Sequence, residues 1–118
     1  MANVDRITRV EELVKREVAA IIQDKLIDPR LGLVTVTGVK VSRDLGYADI
    51  SLSVMGGDKI EKTSLDILNG AAGYVRNELG NVIVMKKIPK LRFHPDEEYK
   101  KAMRIYELLN DIETSDEL

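Results

Sequence analysis

Four cationic side chains, Lys86, Lys87, Lys90 and Arg92, fall within seven residues, and no acid interrupts the chain from Gly80 to His94. Clustered ammonium and guanidinium groups hold phosphate oxygens, lysine as a point charge and arginine through its planar fork of donors. Shortly upstream, Gly70-Ala71-Ala72-Gly73 sets two glycines into a helical pattern. A glycine inside a continuous helix costs about 1 kcal/mol relative to alanine, so the pair predicts a bend where another backbone can approach closely. The four residues are formally a G-x-x-G, a weak signal by itself, and neither alanine brings charge to a phosphate. Binding energy there would come from the surrounding cations, with the bend supplying shape.

Other chemistry is sparse. His94 is the sole histidine, stands beside Pro95 at a strand-to-helix junction and reads as a cap or surface group. The absence of cysteine removes disulfides, thiolate metal sites and a cysteine nucleophile, consistent with a reducing compartment. The carboxylates follow no paired or metal-binding spacing, so no catalytic residue, metal or cofactor is expected. Tyr47, Tyr74, Tyr99, Tyr106 and Phe93 include candidates for base stacking, but most stand in apolar stripes that predict core packing.

With 118 residues, 44% of them apolar, the chain is expected to form one domain over residues 1–109, followed by an acidic, mobile tail over 110–118. The opening Met-Ala-Asn-Val-Asp lacks the basic and apolar regions of a signal peptide, and no apolar run approaches the roughly 18 residues of a membrane span. A cytoplasmic protein with no membrane partner is expected. The net charge of −2 conceals an uneven distribution: residues 96–118 hold eight acids against Lys100, Lys101 and Arg104, leaving residues 1–95 at +3. Screening acts over about 8 Å at physiological salt, so a basic face can coexist with an acidic tail.

The elements that must position these groups follow from periodicity. Val10, Leu13, Val14, Val18, Ile21 and Ile22 form a helical stripe from Asp5 to about Leu26, closed by Asp28-Pro29-Arg30-Leu31-Gly32, where Arg30 is expected to hydrogen-bond the turn. Leu33 to Val41 and Tyr47 to Val54 read as strands, the second alternating cleanly, and the connection from Ser42 to Gly46 favours an antiparallel hairpin. Two further helical stripes flank the glycines. Ile88 to Phe93 reads as a short strand, and a last helix begins near Pro95 with Tyr99, Ala102, Met103 and Tyr106 inward.

Helix, strand, strand, helix, kink, helix, strand, helix predicts an α+β fold, a three-stranded mixed sheet packed against helices, with the third strand parallel to the second. This order matches a type II K-homology (KH-like) domain, in which a kinked helix pair and a neighbouring strand clamp single-stranded RNA.

Several marks in order also resemble the ribosome-binding factor A family over residues 6 to 109. They are Arg9-Val10, Asp28-Pro29-Arg30-Leu31-Gly32, Val41-Ser42-Arg43-Asp44-Leu45 with Tyr47-Ala48, Ala71-Ala72-Gly73, Arg76, and the Pro-x-Leu-x-Phe of Pro89, Leu91 and Phe93. The resemblance implies a non-catalytic factor that binds the immature small ribosomal subunit and its ribosomal RNA, and a monomer is the simplest expectation for so small a module. It further implies assistance in late maturation and processing, with importance in cold adaptation. The expected RNA-binding residues are Arg9, Arg43, Ala71, Ala72, Gly73, Arg76, Lys86, Lys87, Lys90 and Arg92. The alternative is a protein-interaction adaptor whose basic patch is incidental, its lysines merely guarding a strand edge against aggregation.

Overall fold

A computed structural model describes residues 2–117, with side chains described over residues 6–111. The elements are α1 (Ala2–Lys25), β1 (Leu33–Val41), β2 (Tyr47–Met55), α2 (Asp58–Gly70), α3 (Ala72–Val82), β3 (Lys90–Pro95) and α4 (Glu97–Glu117). β2 is the central strand, antiparallel to β1 and parallel to β3. The α+β order and mixed sheet agree with the sequence reading.

Alternation along the strands decides which face is buried. Ala48, Ile50, Leu52 and Val54 of β2, with Val36 and Val41 of β1 and Leu91 and Phe93 of β3, turn inward. They meet Val14, Val18, Ile21 and Ile22 of α1, Leu68 of α2, and Val75 and Leu79 of α3. Complete burial of one such side chain contributes roughly 1.5–3 kcal/mol, enough to hold three helices on one side of the sheet.

Polar groups settle the joints. Asp28 accepts hydrogen bonds from the Arg30 amide (2.9 Å) and guanidinium (2.9 and 3.2 Å), which closes the turn after α1 as expected. The chain then passes so close to α2 that a Cβ on Gly32 would stand 2.7 Å from Ile60 and 2.8 Å from Val54. The Gly32 amide donates to Ser64 Oγ at 2.9 Å, and Ser64 is fully buried. Substituting Ser64→Ala leaves that amide unsatisfied, so denaturant unfolding should show a loss of about 1–3 kcal/mol.

Several details depart from expectation. β3 runs from Lys90 to Pro95 rather than from Ile88 to Phe93, and Lys86 and Lys87 lie on the loop that precedes it. Pro95 ends β3, and the N-cap of α4 is Asp96, whose Oδ1 accepts the Tyr99 amide at 3.0 Å. The hairpin is antiparallel as expected, with Leu45 of its turn in the left-handed region (φ 59°). Thr37 is a bulge in β1, and its hydroxyl donates to Asp96 Oδ2 at 2.6 Å.

α4 has no buried inner face: every residue from Lys101 to Asp111 is exposed, and Tyr106 is 59% accessible. Its attachment is confined to the first turns, through the Asp96 cap and through Lys100, which pairs with Glu61 at 3.0 Å and Asp58 at 3.3 Å. The helix continues to Glu117 across most of the stretch assigned to a tail; Leu118 lies outside the described residues, as do the side chains of residues 112–117. None of the four tyrosines joins the core, whereas Phe93 does, being 3% exposed.

Candidate nucleic-acid interface

At the end of the sheet where β2 and β3 begin, three segments converge. α1 brings Arg6 and Arg9, the hairpin tip brings Arg43, and the loop between α3 and β3 brings Lys86 and Lys87. The loop is anchored by the Lys90 amide, which donates to the Gly46 carbonyl at 2.9 Å. A depression of about 420 Å³ between α1 and the loop is lined by Arg6, Arg9, Lys86 and Lys87. A groove of about 430 Å³ on the other side of the loop is lined by Arg76, Asn77, Lys86 and Lys87. The two lysines therefore stand on a ridge between two concavities.

Arg6, Arg9, Arg43, Lys86, Lys87 and Lys90 are all exposed, and among the described residues none is in a salt bridge. The nearby acid Asp44 is occupied by the turn: it accepts from Ser42 Oγ at 2.8 Å and from the Gly46 amide at 3.0 Å. Those bonds, with a smaller contribution from the Lys87 charge, hold its carboxyl below the usual range. Asp44 therefore stays charged and lines the same depression, where four cations, Arg6, Arg9, Lys86 and Lys87, outnumber it.

Two of the expected binding residues are already engaged. The Arg76 guanidinium donates from Nε (3.1 Å) and Nη2 (2.8 Å) to the Ile88 carbonyl, tying α3 to the basic loop. Arg92 forms a fork with Asp49, at 2.8 and 3.0 Å, and lies 4.3 Å from the Tyr47 ring centroid. His94 Nε2 approaches the same carboxylate at 2.8 Å, so the histidine is a sheet-surface partner and not a helix cap.

Asp49 is held well ionised, chiefly by Arg92 and secondarily by His94, and Asp96 by the Thr37 hydroxyl and the Tyr99 amide. Both carboxyls lie below the ordinary value of 3.8, so folding favours their charged forms. The stability they contribute is complete above that value and disappears as pH falls through their lowered values. In acid titrations followed by circular dichroism, Asp49→Asn should flatten this acid-side loss.

The bend falls on Ala71 (φ −97°, ψ 8°), the single residue between α2 and α3. The Ala71 amide still bonds to the Ile67 and Leu68 carbonyls, and the Ala71 carbonyl accepts from the Val75 amide, so the hydrogen-bond ladder passes through the bend with Ala72, Gly73 and Tyr74 opening α3. A Cβ on Gly73 would meet nothing within 4 Å, and its backbone is not left-handed, so the fold itself does not demand glycine there. The space is open to a ligand.

Asn69, unremarkable in the sequence, completes the site's frame. Its side chain accepts from the Phe93 amide (2.9 Å) and donates to the Phe93 carbonyl (3.1 Å), pairing the outer edge of β3. Asn69→Ala should lower stability by about 1–2 kcal/mol in denaturant unfolding, since two backbone groups lose partners. The kink and the loop lie at opposite ends of α3, whose 11 residues span about 16 Å. The expected residues thus form two separate loci, the uncharged bend at 71–73 and the free cations at the hairpin end. Arg6 at the cationic end and Tyr74 at the kink, 45% exposed and not in the core, stand beside them.

The family model described as ribosome-binding factor A matches residues 6–109. A protein of that name from Hahella chejuensis is 43% identical over 117 residues, covering 94% of this chain and 87% of its own length. The crystal structure of ribosome-binding factor A from Thermus thermophilus is similar at a TM-score of 0.68 and 30% identity, covering 75% of this chain and 94% of that one. A Thermus thermophilus ribosome-binding factor A homology model, fitted into a cryo-electron microscopy map of its 30S complex, is similar at a TM-score of 0.63 and 30% identity, covering 73% and 90%.

Proposed function

This chain belongs to the ribosome-binding factor A family, and from that membership we propose that it is a non-catalytic factor that binds the immature small ribosomal subunit and its ribosomal RNA to assist late maturation. The observation that carries the reading is the grouping at one end of the fold of six cations without a salt bridge among the described residues: Arg6 and Arg9 of α1, Arg43 of the hairpin, Lys86 and Lys87 of the loop, and Lys90 at the start of β3. Phosphates supply the affinity of such a surface, and release of their counterions makes that affinity fall with salt. Arg9, Arg43, Lys86, Lys87 and Lys90 are the proposed phosphate contacts. The bend at Ala71, Ala72 and Gly73, exposed at the glycine, provides close backbone approach, while Arg76 and Arg92 position the loop and the strand.

The mechanism is conformational. A protein that docks on one arrangement of ribosomal RNA shifts the population toward it by its difference in affinity for the two arrangements. Cosedimentation with small subunits, large subunits and assembled ribosomes across a salt series tests the proposal. Selective, salt-sensitive small-subunit binding is expected; binding without selectivity would reduce the surface to a generic basic patch. A protein-interaction adaptor is the second reading, favoured by the exposed apolar side chains of α4, among them Met103, Ile105 and Leu108. Salt-insensitive binding and a protein partner retained after nuclease treatment would select it.

A further inference from the structure

Resting on the reading that this protein binds ribosomal RNA, we propose that the open half of the sheet's outer face, centred on Tyr47, is a further RNA contact that stacks a base of a single-stranded segment. The strand register sets three outward rows side by side: Lys90 beside Tyr47, then Arg92, Asp49 and Lys40, then His94, Ser51 and Gly38. α4 meets only the far end of this face, where its first turns adjoin Leu33, Thr35, Ser53 and Met55. The Thr37–Asp96 bond marks the boundary.

Tyr47 is 41% exposed although its ring lies against the Arg92 guanidinium, 4.3 Å from the ring centroid. That guanidinium is fixed by both oxygens of Asp49, which His94 holds from the next row. The ring therefore has a rigid, flat backing on one side and accessible surface besides. An aromatic immobilised before binding loses little freedom when a base lands on it. Lys40 and Lys90 flank the ring and are exposed, so phosphates of the same segment have cations to meet on either side. With Arg92 they outweigh Asp49 and leave the rows at +2 before His94 is counted. A Cβ on Gly38 would meet nothing within 4 Å, so the last row is an open floor. The rows begin at the hairpin tip beside Arg43 and the basic loop, which makes the sheet face continuous with the cationic end.

Aromatic stacking tolerates any base, so the test uses fluorescein-labelled oligo(A), oligo(U), oligo(C) and an abasic oligomer, each about eight nucleotides long, within the usual span of a small single-strand site. Tyr47→Leu is expected to weaken the base-bearing oligomers by about five- to a hundredfold, the range typical of one lost stacking partner. Tyr47→Phe should bind like the wild type, and the abasic oligomer should not distinguish the three proteins. Thermal melts confirm that both variants fold. If the wild type cosediments with small subunits while Tyr47→Leu matches it on every oligomer, the platform is overturned and the parent function stands. A wild type that fails to cosediment overturns both. Weakened subunit binding with unchanged oligomer binding would make this face a protein contact and overturn the RNA assignment.

Discussion

Replacing Lys86, Lys87 and Lys90 together by glutamate should cut small-subunit affinity by about a hundredfold or more at physiological salt. Three lost phosphate contacts remove between about 2 and 3 units of the slope of log affinity against log salt, which at 0.15 M corresponds to roughly two decades. Charge reversal adds repulsion. The measurement is cosedimentation or fluorescence anisotropy across a salt series, and an unchanged slope would remove the ridge from the interface. Arg92→Gln is the instructive comparison. Arg92 is committed to Asp49 and Tyr47, so its loss should disturb the sheet surface while leaving most of the slope intact. A cation's pairing in the free protein thus separates those available to phosphate from those already used by the fold.

Ile50→Ala should lower stability by about 2–5 kcal/mol, the usual cost of emptying a fully buried aliphatic site that relaxes only partly. Ile50 has no exposed surface and sits on the central strand, paired with Val39 on one side and Phe93 on the other. For a domain of this size that loss corresponds to a fall of about 10 °C or more in Tm. Denaturant unfolding checks it, with an unchanged m-value as the sign that the cost is local. Because Ile50 is remote from the basic ridge, the folded fraction should retain wild-type salt sensitivity.

Periodicity made most of the frame legible. The apolar stripe through Val14, Val18 and Ile22 and the alternation from Ala48 to Val54 each match one buried face, since burial selects those spacings. The parallel return of β3 was legible for a similar reason: a two-helix connection is long enough to cross the sheet. Boundaries set by side-chain bonds were not. Pro95 ends β3 instead of opening α4, because Asp96 caps the helix by accepting the Tyr99 amide while also holding the Thr37 bulge, a contact distant in sequence.

The candidate site was legible as a set of charges but not as a geometry. Lys86 and Lys87 are available while Arg76 and Arg92 are bound, a distinction made by an Ile88 carbonyl and an Asp49 carboxylate that no local pattern announces. The tyrosines were misjudged because helical or strand spacing alone does not say whether an element has a neighbour. α4 carries an apolar stripe with nothing packed on most of it, and Tyr47 faces outward from the sheet.

The placement of α4 has a kinetic consequence. The helix departs from the end of the sheet opposite the cations, taking the −5 of residues 96–118 away from the +3 of residues 1–95 in a molecule 59 Å long. Because screening acts over about 8 Å, an approaching polyanion feels only the end it nears, attraction at the cationic tip and repulsion along the acidic helix. Collisions are thereby sorted by orientation before any atom touches. Wrongly turned encounters part quickly, so the same separation that aligns productive approach discourages lingering on arbitrary RNA.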